Sequence, residues 1–249
     1  MNLILLEQHE TTNPTVTISG RRCIHIQKVL RCSPGDIVRV GVTNGAMGSG
    51  RIQELTREQA VLTINLDRQP PPAPQTDLIL ALPRPIMLKR VLAQAASLGV
   101  GHIHLIKANR VEKSFFQASL LQAEAMRDQL ILGLEQAMDT RLPQVTLHTR
   151  FRPFVEDVLP TLRGQYARGL VAHPETERNL SQACQAPLSG RVLLAIGPEG
   201  GWVDFEVAKF QEQGLTPFHL GPRILRVDTV VPALLAQIDL LRSPNLRTT

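Results

Sequence analysis

Two glycine-containing stretches in the C-terminal third hold the residues best suited to chemistry. The apolar run Val192-Leu193-Leu194-Ala195-Ile196 empties into Gly197-Pro198-Glu199-Gly200-Gly201, and a helical pattern holding Glu206 and Lys209 follows. A buried strand that ends in glycines leaves backbone donors and acceptors open to a closely approaching ligand, although a plain strand-to-helix turn has the same pattern. The run is neither G-x-G-x-x-G nor a P-loop ending in Lys-Ser/Thr, which disfavours phosphate binding by those two mechanisms. Further on, Leu220-Gly221-Pro222-Arg223-Ile224-Leu225-Arg226-Val227-Asp228-Thr229 reads as a second strand-end loop, ahead of an apolar helix from Val230 to Leu241. Arg223 and Arg226 suit a phosphate or a developing oxyanion. Asp228 or Thr229 suits the N-cap of the helix, with Pro232 in its first turn, and a direct ligand role for Asp228 is the alternative.

Positioning these loops requires alternating strands and helices, which the second part of the chain supplies. Strands are expected at Asp77–Leu82, Ile103–Lys107, Gln144–His148, Gly169–Ala172, Val192–Ile196 and Phe218–Leu220, with helices at Met87–Leu98 and roughly Ser114–Met138. This alternation predicts an α/β domain with a mostly parallel sheet. Ahead of it, Gln69-Pro70-Pro71-Pro72-Ala73-Pro74-Gln75-Thr76 fixes φ and removes donors, so residues 69–76 read as a linker between a domain at 1–68 and one at 77–249. In the first domain Ile37–Val40 and Arg51–Leu55 flank the turn pair Asn44-Gly45, and Val61–Leu66 adds a strand, a pattern for a small β-barrel.

One helix interrupts that β pattern. Over Arg21–Arg31, helical spacing gathers Arg21, His25, Lys28 and Arg31 on one face and Cys23, Ile26 and Leu30 on the other. The basic face is either an ordinary solvated face or a phosphate-contacting one. The whole chain of 249 residues carries a formal charge of +5, a balance that raises the local concentration of a polyanion such as RNA. With 43% hydrophobic and 20% charged residues, disorder is excluded as the default state. Three cysteines are too few and too scattered for a disulfide framework. Met1–Glu10 has no basic segment ahead of its apolar residues, and no apolar run approaches the ~18 residues of a membrane span, so a cytoplasmic, non-membrane protein is expected. Neither H-E-x-x-H nor clustered Cys/His ligands occur, and no metal is expected.

The pair G-P-E-G-G and L-G-P-R-I-L-R-V-D-T resembles the two signature loops of the RsmE family, SPOUT-class enzymes that methylate uracil N3 in small-subunit (16S) ribosomal RNA. The likeness extends along the chain, through His25-Ile26-Gln27-Lys28-Val29-Leu30-Arg31, Leu98-Gly99-Val100, Leu134-Glu135-Gln136-Ala137 and Arg141-Leu142-Pro143. It departs at Asp228-Thr229-Val230, where the family usually has Glu-Thr-Ala, and at Ser97, where a Glu is common.

The resemblance implies a PUA-like RNA-binding domain, then a SPOUT domain with a C-terminal trefoil knot and a homodimer packed through that knot. It implies S-adenosylmethionine bound among three loops: Val171, Ala172 and His173; Gly197, Pro198, Glu199, Gly200 and Gly201; and Leu220, Gly221, Ile224 and Leu225. Arg226 then falls nearest the reacting base, as a cation that stabilises a uracil anion. Arg21, Arg22, Lys28, Arg31 and Arg223 are the expected RNA contacts, with ribosomal RNA, within the small subunit, as partner. No general base is singled out. Two other readings stay open: a ribose 2′-O-methyltransferase of the same class acting on rRNA or tRNA, and a non-catalytic RNA-binding relative.

Overall fold

Alternation of side chains, complete only in the second strand, shapes the N-terminal sheet in the computed structural model, which describes residues 2–184 and 188–242. Its strands are β1 (Ile4–Leu6), β2 (Thr15–Ser19), β3 (Ile37–Val42), β4 (Met47–Leu55) and β5 (Gln59–Arg68), in the order β1-β3-β4-β5-β2. In β2, Val16 and Ile18 turn inward while Thr15, Thr17 and Ser19 face out, the period of two that a half-buried strand requires. The inward residues meet Ile4, Val40, Ile52 and Leu62 in one core. No ladder joins β1 to β2 among the described residues, so strand pairing leaves an open sheet where a barrel was expected.

The helix at residues 20–30 departs from regular spacing. It begins as α1 (Gly20–His25) and continues as a π-helical turn over Ile26–Leu30, closed by the Arg31 N–H, with Arg31 itself left-handed at φ 54°. A π turn places one more residue in the circuit, which rotates the residues after it away from the α-helical register. Cys23 and Ile26 are buried as expected, but Leu30, assigned to the inner face by 3.6-residue spacing, is exposed.

Residues up to Ala73 form one compact unit together with Leu130–Leu142, and Pro74–Gln129 with the residues from Pro143 onward form the other. The later segment of the first unit locks the Asn44-Gly45 turn. Asn44 takes φ 57°, its side-chain oxygen accepts the Leu142 N–H at 2.9 Å, and Thr140 Oγ1 donates to the Gly45 carbonyl at 2.8 Å.

The second unit follows the alternating pattern: β6 (Thr76–Ala81), α2 (Pro85–Ser97), β7 (Val100–Ile106), α3 (Ala123–Ala137), β8 (Gln144–His148), α4 (Phe151–Pro153), α5 (Leu159–Arg163), β9 (Arg168–Ala172), α6 (Leu180–Cys184), β10 (Val192–Ile196), α7 (Asp204–Glu212), β11 (Leu215–Phe218) and α8 (Val227–Leu241). Helix α3 contributes its residues from Leu130 to the first unit. Strand order is β11-β9-β10-β6-β7-β8, and every pairing is parallel. Strands β6 and β10 are buried along their whole length, as in a parallel sheet covered on both faces. Because β10 lies between the earlier β9 and β6, the turn after it opens beside the exits of β9 and β11.

Three expectations shift. The last strand ends at Phe218, before Leu220, and the final helix begins at Val227, three residues early. Pro232 therefore lies inside α8, where its ring removes the N–H that would meet the Asp228 carbonyl. The segment from Ser114 is two 3-10 turns, Lys113–Gln117 and Ser119–Leu121, with extended backbone at Ala118 and Gln122, before α3 starts. Among the described residues, no helix is long and apolar enough to cross a membrane.

Candidate functional site

Parallel strands point their carboxyl ends the same way, and there the loops after β9, β10 and β11 enclose one cleft. The two glycine loops picked out in the sequence are its opposing walls: Gly197, Pro198, Glu199 and Gly201 on one side, Leu220, Gly221, Ile224 and Leu225 on the other. Ala172 and Pro174 close it from β9. The walls are mostly apolar, and Ile224, 88% exposed, stands at the rim. Gly201 and Gly221 take φ 76° and 118°, conformations that L side chains rarely adopt, so glycine is needed for the turns themselves.

Sequence reasoning did not single out Trp202, although it is the lone tryptophan of the chain and directly follows the glycine run. It is buried, lines the cleft, and packs edge-on to Phe210 at 5.0 Å. A Cβ at Gly197 would meet the indole at 3.2 Å, so this glycine makes room for the ring. The indole N–H is buried without a hydrogen-bond partner.

Not every expected residue faces the cleft. Val171 is fully buried within β9 and backs the site. The His173 N–H donates to the Phe218 carbonyl, and its side chain borders a separate depression with Glu175 and Asp204. Gly200 turns toward Arg110, whose guanidinium donates to the Gly200 carbonyl and whose side chain would lie 3.1 Å from an added Cβ. Backbone geometry explains both: residues at strand ends alternate faces, and the middle of a tight turn points outward. Arg223 lines the cleft.

Arg226 is the N-cap of α8, its carbonyl accepting the N–H groups of Thr229 and Val230. The capping role expected of Asp228 or Thr229 is thus taken by the Arg226 backbone. Asp228 instead faces two guanidinium groups, accepting on Oδ2 from Arg90 of α2 at 3.2 Å and from Arg226 at 3.5 Å. Arg226 Nη2 also lies 3.3 Å from the Met87 sulfur. Its side chain is 68% exposed, while that of Asp228 is 12% exposed with Oδ1 buried and unpartnered. Val227 and Val230, on either side, line the cleft.

In the first unit, Arg22 is bound by the Glu10 carboxylate through both terminal nitrogens, at 2.6 and 2.8 Å. The Arg22 guanidinium holds the Glu10 carboxyl below the usual carboxylate range against the opposing effect of burial. Arg21 pairs with the buried Glu135 at 2.6 Å. These two cations are therefore committed within the unit, whereas Lys28 and Arg31 are exposed and form no ion pair with any described residue. At the opposite edge of the second unit's sheet, buried Asp77 accepts the Tyr166 hydroxyl at 2.5 Å and a guanidinium N–H of Arg191. Burial, with that hydrogen bond, pushes the Tyr166 hydroxyl up. This network serves the fold, since the cleft opens at the other end of the strands.

The family model for an RNA methyltransferase domain matches residues 70–239, and that for an RNA methyltransferase PUA domain matches residues 22–65. The ribosomal RNA small subunit methyltransferase E of Treponema pallidum is 34% identical over 242 residues, covering 96% of this chain and 90% of the relative. The chain belongs to the ribosomal RNA small subunit methyltransferase E family.

That of Synechocystis sp. is 27% identical, over 96% of this chain and 77% of the relative. The crystal structure of the Neisseria gonorrhoeae family member bound to S-adenosyl methionine superimposes with a TM-score of 0.78, covering 97% of this chain and 98% of that one at 21% identity, so the two share a fold. Family membership bears out the resemblance read from the paired loops, and it spans both units.

Proposed function

We propose that this chain transfers the methyl group of S-adenosylmethionine to N3 of a uridine in small-subunit ribosomal RNA. The observation that carries this reading is the single cleft made by the loops after β9, β10 and β11, with Arg226 beside it at the start of α8. The residues present fit the cofactor. Apolar walls from Ile196, Leu220, Leu225 and Val227 suit a flat aromatic base, glycine backbone suits its polar edge, and the unpartnered indole N–H of Trp202 is a donor in the wall. When bound, the cofactor supplies an electrophilic methyl group that needs no metal.

The chain's own residues supply binding, orientation and charge. The glycine loops fix the reacting centre against the base, and orientation of this kind contributes up to ~7–11 kcal/mol. Arg226 neutralises the negative charge that spreads onto the uracil oxygens as the N3 proton leaves. Asp228 positions Arg226 through its carboxylate, with Arg90 holding the same oxygen, Oδ2. N3 lies on the pairing edge of uracil, so the target nucleotide must be unpaired when it enters.

In this reading the part at 1–68 anchors RNA, through Lys28 and Arg31, and the part at 77–249 performs transfer, with Arg223 on RNA at the cleft. The chain acts in the cytoplasm as a homodimer. Ile86 on α2 and Leu240 on α8, 65% and 75% exposed, offer apolar surface for that pairing, and α2 packs on α8. The segment between β11 and α8 threads an earlier loop as a trefoil knot, a reading supported by the position of β10 between β9 and β6.

Incubation with methyl-labelled cofactor and small ribosomal subunits, followed by nucleoside mass spectrometry, tests the reading. The expected product is 3-methyluridine; label on ribose, or none, overturns it.

A further inference from the structure

Further along the sheet edge that carries the cleft, beyond β6, the chain leaves β7 as Lys107-Ala108-Asn109 and leaves β8 as Thr149-Arg150-Phe151-Arg152. Together with Val203, Phe205 and Glu206 these residues enclose a second concavity of about 490 Å³, open to solvent. It is a different pocket from the cleft, yet it adjoins it: Trp202 of the cleft wall and Val203 of this one are consecutive.

The lining is cationic and aromatic. Lys107, Arg150 and Arg152 make no ion pair with any described residue, and the one carboxylate in the wall, Glu206, is already used. Glu206 is buried and accepts the Asn109 N–H on Oε1 at 2.7 Å and the Val203 N–H on Oε2 at 3.0 Å. Three cations therefore face one carboxylate, whose two oxygens are already held by backbone donors, which leaves an excess of positive charge. The ring of Phe205 is 41% exposed, with the Arg152 guanidinium 5.0 Å from its centroid and Phe151 edge-on at 6.3 Å. The side chains of Asn109 and Thr149 stand exposed at the wall as hydrogen-bonding groups.

Unpaired cations beside an exposed ring and short polar side chains are the combination that holds single-stranded nucleic acid: phosphate on the cations, a base on the aromatic face, a base edge on the amide and hydroxyl. A solvated basic surface would not need the aromatic face, and an apolar ligand would not need the cations.

We propose that this pocket binds an unpaired nucleotide of the RNA substrate close to the one that enters the cleft, with Phe205 stacking on its base and Lys107, Arg150 and Arg152 contacting its phosphates. The inference rests on the chain's acting on RNA. It gives the transfer unit an RNA-binding surface of its own, next to the reacting centre, and so a means of selecting the target by its single-stranded surroundings.

Binding of a fluorescently labelled, uridine-rich single-stranded RNA to the full-length protein tests it, with a duplex of the same sequence as control. Phe205→Ala should weaken binding of the single strand ~5–150-fold and leave the salt dependence unchanged. Phe205→Trp should restore it. The double variant Arg150→Ala/Arg152→Ala should weaken binding and make the plot of log affinity against log salt shallower by ~1.4, that is ~0.7 for each phosphate no longer neutralised. S-adenosylmethionine affinity, measured by calorimetry on each variant, should match the wild type. Wild-type RNA affinity in both variants, while wild-type protein still methylates ribosomal RNA, overturns the pocket and spares the methyltransferase reading. A wild-type protein that neither binds nor methylates RNA overturns both.

Discussion

Arg226 and Asp228 stand two residues apart at the start of α8, their side chains 3.5 Å apart, and the better-held member of the pair is the carboxylate. Asp228 is nearly buried and also accepts from Arg90, whereas the Arg226 side chain is 68% exposed. With the guanidinium largely in solvent, the pair contributes little to stability, typically ~0–1 kcal/mol, and in the proposed reading Arg226 is held for transfer.

Arg226→Ala should therefore lower the single-turnover methylation rate by ~10²–10³ with cofactor affinity and Tm nearly unchanged. Arg226→Lys should recover only part, because an ammonium lacks the planar fork. A wild-type rate for Arg226→Ala at saturating ribosomal substrate sinks the assignment.

The two glycines of the β10 turn should behave differently. At Gly197 a methyl group meets the Trp202 indole at 3.2 Å, inside the cleft wall, so Gly197→Ala should displace the ring and weaken S-adenosylmethionine binding. At Gly200 the added atom meets the Arg110 side chain, which can move, and Gly200→Ala should leave cofactor affinity close to wild type. Calorimetry on the two variants checks this; equal losses would contradict the placement of the cleft.

Among the basic residues of the first unit, stability and RNA binding should separate. Arg22→Ala leaves the Glu10 carboxylate without the two hydrogen bonds that Arg22 donates and should cost about 1–3 kcal/mol, seen as a lower urea midpoint at neutral pH. Lys28→Ala and Arg31→Ala break no ion pair and should reduce RNA affinity and its salt dependence with no change in the midpoint. Loss of RNA affinity confined to Arg22→Ala would reverse these roles.

A histidine cluster sets a pH dependence. His102 stacks on His104 at 3.9 Å, and His104 Nδ1 lies 3.2 Å from His148 Nε2. Burial, reinforced by the charges His102 and His148 would carry, lowers the His104 pKa from 6.5 to about 3, and His102 and His148 are lowered too. Below 6.5 the unfolded chain takes up protons that the folded chain refuses. Stability is thus full above 6.5 and falls as pH drops toward 3, with a limiting slope of about 1.4 kcal/mol per pH unit for each histidine. Urea midpoints at mildly acid pH, before most carboxylates titrate, should show this slope, and His104→Gln should flatten it. An unchanged slope in that variant would assign the dependence elsewhere.

Local chemistry made much of this protein legible in its sequence. The bounds of β8 and β10, the proline-rich break after β5, and the two glycine loops all depend on neighbouring residues: apolar runs, fixed φ, freedom at positive φ. Family likeness then linked the loops to a reaction. What local chemistry could not supply is everything set by partners distant in the chain. Arg90 reaches Asp228 and Arg110 reaches Gly200 across 138 and 90 residues, Glu10 and Glu135 claim two arginines that spacing alone would leave free, and Leu130–Leu142 joins the N-terminal unit. The insertion of β10 between β9 and β6 decides which strand exits share a cleft, and hence that Trp202, just past the β10 turn, lies in its wall. A residue's type and spacing fix what it can do, but which charge it neutralises or which wall it forms depends on neighbours that only the folded chain brings within a few ångströms.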